Sequence, residues 1–152
     1  GNGTWEDQLR SRLLGPLGMD LTGTSVKKAI ATGLYATPYG QPGYGQPVEA
    51  LPEDICANME MFGPMGSLVT NADEAPRWMR LHLNGGVNDE GERVVSAAGL
   101  AGTRVPMVST GVDPAGVRPR FPVESTDWAY ALGWSAGTYN GYRRDSHGGR
   151  AL

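Results

Sequence analysis

The chain has 152 residues and a formal net charge of −3, from 13 basic and 16 acidic side chains, and no basic run that could follow a phosphate backbone, which argues against a nucleic-acid partner. Apolar residues make up 39% and charged residues 19%, the balance of one globular domain, while 23 glycines and 11 prolines make it rich in loops. No apolar run reaches the roughly 18 residues of a membrane span, and the single cysteine, Cys56, forms no internal disulfide and reads as a small buried hydrophobe.

In chain order, Thr4-Trp5-Glu6-Asp7 reads as a capping box opening a helix over about 5–14, with Trp5, Leu9 and Leu13 on one face and Gly15-Pro16 stopping it. Residues 15–68 carry repeated turn signals with Tyr35, Tyr39 and Tyr44 between them, so a long packed loop with one helical turn near Glu53–Met59 is expected. A loop of that length inside a domain is a candidate pocket wall.

Thr70 to Gly86 gives the strongest local signal, a helix over about 72–84 with Ala75, Trp78, Met79 and His82 on one face and paired glycines closing it. Pro76 disturbs the second turn if Thr70 is the cap and sits harmlessly in the first turn if Asp73 is. A short helix follows around Ser96–Leu100. The alternation of large and small residues over 128–135 predicts a strand buried on one face. Asn140-Gly141 then predicts a type I′ hairpin turn, with Arg143–His147 as the antiparallel return.

Candidate chemistry is sparse. His82 and His147 lie in neither His-x3-His nor Cys-x2-Cys spacing, so no metal is expected, and His82 reads as a structural helix residue. Ser25-Val26-Lys27-Lys28 satisfies Ser-x-x-Lys, but a lysine base needs desolvation and this stretch is polar, so the reading preferred is a helix start. At the C-terminal end, His147-Gly148-Gly149 sits at the end of a paired strand, and glycines there allow close approach to the main chain.

Several motifs together resemble the serine β-lactamase-like hydrolases, the group of class C β-lactamases, D-stereospecific peptidases and related esterases. They are Pro16-Leu17-Gly18-Met19 with Thr22, then Gly63-Pro64-Met65-Gly66-Ser67-Leu68-Val69-Thr70-Asn71-Ala72 with Arg77-Trp78 and Leu83-Asn84-Gly85-Gly86. The last are Tyr130-Ala131-Leu132-Gly133-Trp134, Tyr139-Asn140-Gly141 and His147-Gly148-Gly149. They run in family order over nearly the whole chain.

The resemblance implies an α/β fold of the α+β type, part of a β-lactamase/transpeptidase-like domain, with helices and long loops followed by an antiparallel hairpin. It implies acyl-enzyme chemistry on a small-molecule ester, amide or β-lactam, without a cofactor. Such enzymes carry their Ser-x-x-Lys nucleophile and Tyr-x-Asn motif before the Pro-Leu-Gly-Met signature. Ser25 lies after that signature and no Tyr-x-Asn occurs, so residues 1–152 are expected to be a partial domain whose partner is the missing N-terminal part.

By the same resemblance His147-Gly148-Gly149 stands in place of Lys-Thr-Gly. The catalytic candidates are then His147, Gly149 and Arg150, whose amide would meet the oxyanion, and the substrate-binding candidates are Gly66 and Gly148. Histidine in place of lysine exchanges a fixed charge for a hydrogen-bonding ring, which makes substrates without a carboxylate as fitting as β-lactams. The alternative is a non-catalytic binding or scaffold protein derived from such a hydrolase. Pro76 and Ala75 depart from the family pattern at their helix.

Overall fold

The computed structural model describes residues 3–41, 43–52, 58–109 and 125–149. Helix α1 (Trp5–Leu9) starts as expected: the Asp7 amide donates to Thr4 Oγ1 at 3.2 Å, and the Thr4 amide donates to Asp7 Oδ2 at 3.0 Å. From Arg10 to Leu14 the helix widens into a π-helical turn, which the sequence did not predict; Gly15 N–H reaches back to Arg10 O at 2.8 Å. The wider turn brings Leu14 into the core, with Leu9 and Leu13 packed at its margin.

The helix ends at Leu14 with Gly15 as its C-cap, as expected, and a hydrogen-bonded turn carries the chain on to Gly18, whose backbone is left-handed (φ +62°) and so close to the Arg77 guanidinium that a Cβ there would collide with it.

The stretch expected to be one long loop carries structure of its own. Helix α2 (Val26–Ala31) is capped by Ser25, strands β1 (Tyr39–Gly40) and β2 (Glu49–Ala50) pair antiparallel, and Asn58–Met65 forms a 3₁₀ segment broken at Gly63 (φ +40°). Residues 53–57 of the expected helical turn, with Cys56, lie outside the described residues.

Helix α3 spans Ala75–Leu83, shorter than expected at its start. Neither Thr70 nor Asp73 caps it. Instead Asn71 Oδ1 accepts from the amides of Asp73 (3.0 Å) and Glu74 (2.9 Å), and Pro76 falls harmlessly in the first turn. The buried face is also offset from the predicted one. Glu74, Trp78 and Leu81 turn inward and Met79 is 62% exposed, because the true stripe follows i, i+4, i+7 from Glu74. Leu81, fully buried, completes the core with Leu14, Leu17 and Met19.

The carboxylate of Glu74 is buried and fully engaged. The Leu21 amide donates to Oε1 at 2.8 Å, and the Thr22 hydroxyl donates to Oε2 while accepting from Thr70 at 2.8 Å. Next to it, Gly23 and Val69 exchange backbone hydrogen bonds at 3.0 and 2.8 Å. Two segments nearly fifty residues apart are therefore locked at the start of α3.

Helix α4 (Ala97–Gly102) begins at Ser96, whose hydroxyl accepts from Gly99, as the sequence indicated. The rest is an antiparallel meander in the order β3 (Val108–Ser109), β4 (Ser125–Tyr130), β5 (Ser135–Tyr139), β6 (Tyr142–Ser146). The mixed α+β architecture expected from the sequence holds.

The single strand expected over 128–135 does not. Gly133 (φ +81°) makes a turn closed by Ala131 N–H to Trp134 O at 2.7 Å, and the chain reverses into β5. The large residues are not the inward set: Ala129, Ala131 and Ala136 are buried, whereas Tyr130 and Leu132 face outward. Alternation defines two faces without saying which one meets the core.

Replacing Thr22 by valine keeps its shape but removes the donor to a buried carboxylate, so Thr22→Val is expected to cost about 1.5–3 kcal/mol. Ser11→Ala, which removes an exposed bond to Asp7 O, is expected to cost under about 0.5 kcal/mol. Urea unfolding of both variants against the wild type measures the difference.

Candidate active site

Asn140 (φ +49°) and Gly141 (φ +79°) form the predicted type I′ turn, and β5 and β6 pair without a register shift from Tyr139↔Tyr142 to Ser135↔Ser146. His147, expected as the last residue of the return strand, sits one position past its end, followed by Gly148 and Gly149, all three exposed. Its Nε2 lies 2.9 Å from Tyr130 Oη, with the two rings edge to face at a centroid distance of 6.0 Å. Arg150, whose amide the resemblance assigns to the oxyanion, lies outside the described residues.

Gly66 follows the 3₁₀ segment, gives its amide to Gly63 O at 3.3 Å, and lines an open groove of about 250 Å³ with Trp5, Leu9, Pro64, Met65 and Leu68. His147 is not among the lining residues of that groove. The buried Ser67 hydroxyl also donates to Gly63 O, at 3.0 Å, so this turn has a structural rationale of its own.

Ser25 is the N-cap of α2, as the sequence suggested. Its Oγ accepts from the Lys28 amide at 3.2 Å and donates to Glu60 Oε1 at 2.7 Å. That hydroxyl, with the Lys27 amide, holds the Glu60 carboxyl below its ordinary range. Lys28 is exposed, without the desolvation a lysine base requires.

His82 proves to be more than a plain helix residue. Trp78 and Trp134 each meet its ring edge to face, at centroid distances of 4.4 and 5.1 Å, and Arg104 Nη2 lies 2.6 Å from Nδ1. Since a guanidinium only donates, Nδ1 accepts and the proton sits on Nε2, which is buried without a partner. Burial first, and the Arg104 charge second, push this imidazole below its ordinary pKa, against a smaller upward pull from Asp145. Asp145 in turn lies 3.7 Å from Arg104 and 3.2 Å from Arg143, tying β6 to the segment after α4. His82, Trp78 and Trp134 border an apolar groove of about 370 Å³ with Leu13, Leu100 and Leu132.

Two participants escaped the sequence reading. Tyr130 as the partner of His147 is brought near by strand pairing, since Tyr130 pairs with Ser135, Ser135 with Ser146, and His147 comes just past the end of that strand. The Arg104 contact of His82 joins residues 22 apart and left no local trace. Among the described residues no three His, Cys, Asp or Glu side chains group as a metal site would require, and no helix is long and apolar enough to cross a membrane.

A family model described as Beta-lactamase matches residues 1–151. The chain belongs to the beta-lactamase family. It is also 30% identical over 146 residues to "Penicillin-binding protein 4" of Amycolatopsis lactamdurans, an alignment covering 96% of this chain and 35% of that protein. The chain thus spans about a third of the length of the curated relative it matches. Membership in the beta-lactamase family places it with hydrolases of the serine type.

Because His82 is held neutral, the unfolded chain binds its proton first as pH falls. The stability tied to the neutral ring is complete above about pH 6.5 and is lost as pH drops through the lower folded value. Glu74 has the same sign at lower pH. Burial pushes its carboxyl up, but the Thr22 hydroxyl and backbone amides outweigh that and lower it, so its contribution disappears below the ordinary glutamate range. The urea midpoint, followed by tryptophan fluorescence, is expected to fall between about pH 7 and about pH 5.5 in the wild type. In His82→Phe that part of the pH dependence should be absent.

Proposed function

We propose that this chain contributes the oxyanion strand and one pocket wall of a serine acyl hydrolase acting on a small ester, amide or β-lactam. The nucleophilic serine belongs to a part of the domain that precedes Gly1. In the reaction, the serine oxygen bonds to the acyl carbon, the leaving group departs with a proton, and water then releases the acid and restores the serine. His147 is the hydrogen-bonding residue that faces substrate, Gly148 allows the acyl group to approach the main chain, and the backbone at Gly149 and Arg150 offers the oxyanion donor. Gly66 lines the pocket on the side of the loop preceding α3.

The observation that carries this reading is the position of His147-Gly148-Gly149. An exposed ring and two glycines follow directly on an edge strand whose hairpin register is fixed, and the ring is hydrogen-bonded on one nitrogen. Family membership over residues 1–151 supports the same chemistry. Ser25, committed to capping α2 and to Glu60, suits a structural role. Leu21, Leu34 and Met61, each more than 80% exposed, suit a surface that the rest of the domain covers.

A fluorophosphonate probe specific for active serines is expected to label the full-length protein and to leave residues 1–152 alone unlabelled. Stoichiometric labelling at Ser25 would overturn the reading. In the full-length protein, His147→Ala is expected to lower kcat/KM for a neutral aryl ester by about tenfold, the value of one hydrogen bond made in the transition state. Tight binding of the ester with no turnover would favour a non-catalytic binding protein instead.

A further inference from the structure

We infer that Tyr130 is the positioning residue of the candidate site: its hydroxyl fixes both the orientation and the tautomer of His147, so that the ring presents Nδ1–H to substrate as a donor. This rests on the proposed role of His147 for its catalytic consequence, though not for the contact itself.

Tyr130 closes β4, and the pairs Tyr130↔Ser135 and Ser135↔Ser146 place it in line across the sheet with the residue before His147. Strand pairing therefore holds Tyr130 in line with the end of β6, and His147 follows directly beyond it. Tyr130 Oη and His147 Nε2 are 2.9 Å apart, a good hydrogen-bond distance, and the edge-to-face rings restrain the imidazole in a second direction.

A phenol hydroxyl is a better donor than acceptor, and a neutral imidazole has one acceptor nitrogen. The bond is therefore strongest with Tyr130 donating to Nε2, which leaves the ring proton on Nδ1. Free histidine favours the opposite tautomer. Tyr130 thus converts a residue that could serve as a base into a one-directional donor, matched to a carbonyl or ester oxygen of the substrate. It also explains why a large polar ring occupies an outward position on β4, where it is 39% exposed and has no packing role in the core.

The test compares the full-length wild type with Tyr130→Phe, which keeps the ring and removes only the hydroxyl. Long-range ¹H–¹⁵N correlation spectra of the His147 ring should show a single Nδ1–H tautomer in the wild type and a shift toward the Nε2–H form in Tyr130→Phe. A wild-type spectrum of the Nε2–H form, or one that does not change in Tyr130→Phe, would overturn the inference.

Kinetics on a neutral ester separate the two readings. Tyr130→Phe is expected to lower kcat/KM about threefold to tenfold, with no further loss when added to His147→Ala. Changed ring spectra with unchanged kinetics in both single variants would support the role of Tyr130 in fixing the ring and refute the catalytic role of His147.

Discussion

The arrangement depends first on a carboxylate taken out of water. Burying a charge is costly unless every lone pair finds a donor, and Glu74 finds the Leu21 amide and the Thr22 hydroxyl. Those donors come from the segment just after the α1 turn, so satisfying Glu74 brings the start of α3 against it. Once α3 is fixed there, Leu81 meets Leu14, Leu17 and Met19, and the next residue, His82, reaches Trp134 beside the turn between β4 and β5. The polar contact supplies specificity of placement, and the apolar cluster that follows supplies the burial.

The sheet end of the molecule follows a different logic. Its geometry comes from two tight turns, at Gly133 and at Asn140-Gly141, which fix the meander without help from a large core. Side chains then connect it to the helices. Arg143 donates to Arg104 O, Asp145 faces both arginines, and Arg104 reaches His82. A continuous set of contacts therefore runs from the C-terminal end of α3 to the strand that leads into His147, and the candidate site is held by the same framework as the core.

What could be read in the sequence was local. The α+β order followed from the family resemblance, while the capping box at Thr4, the short helix near Ser96 and the Asn140-Gly141 turn each depend on residues within four positions of one another, and each was legible. The π-helical turn at Arg10–Leu14 was not, because nothing in Arg10-Ser11-Arg12-Leu13-Leu14 forbids an ordinary helix and the core alone selects the wider one. The alternation over 128–135 left the inward face open, because alternation is symmetric, and it hid the chain reversal at Gly133. For the site, the motif at His147 was visible but its partner was not, since Tyr130 is brought near by strand pairing. Gly66, a substrate-binding candidate by resemblance, lines a groove bordered by α1, a neighbour that its motif does not reveal.

Strand β6 carries Arg143, Arg144 and Asp145 in succession at the edge of the described sheet. A bare edge is a template on which any extended chain can add itself as a further strand. Charges along such an edge disfavour the addition of a further strand, and here two of them are already paired with each other as Arg143 and Asp145. Beyond them the backbone at Gly148 and Gly149 carries no side chain at all. Strand addition is thus opposed along the charged length of the edge, while nothing but main chain stands at its end.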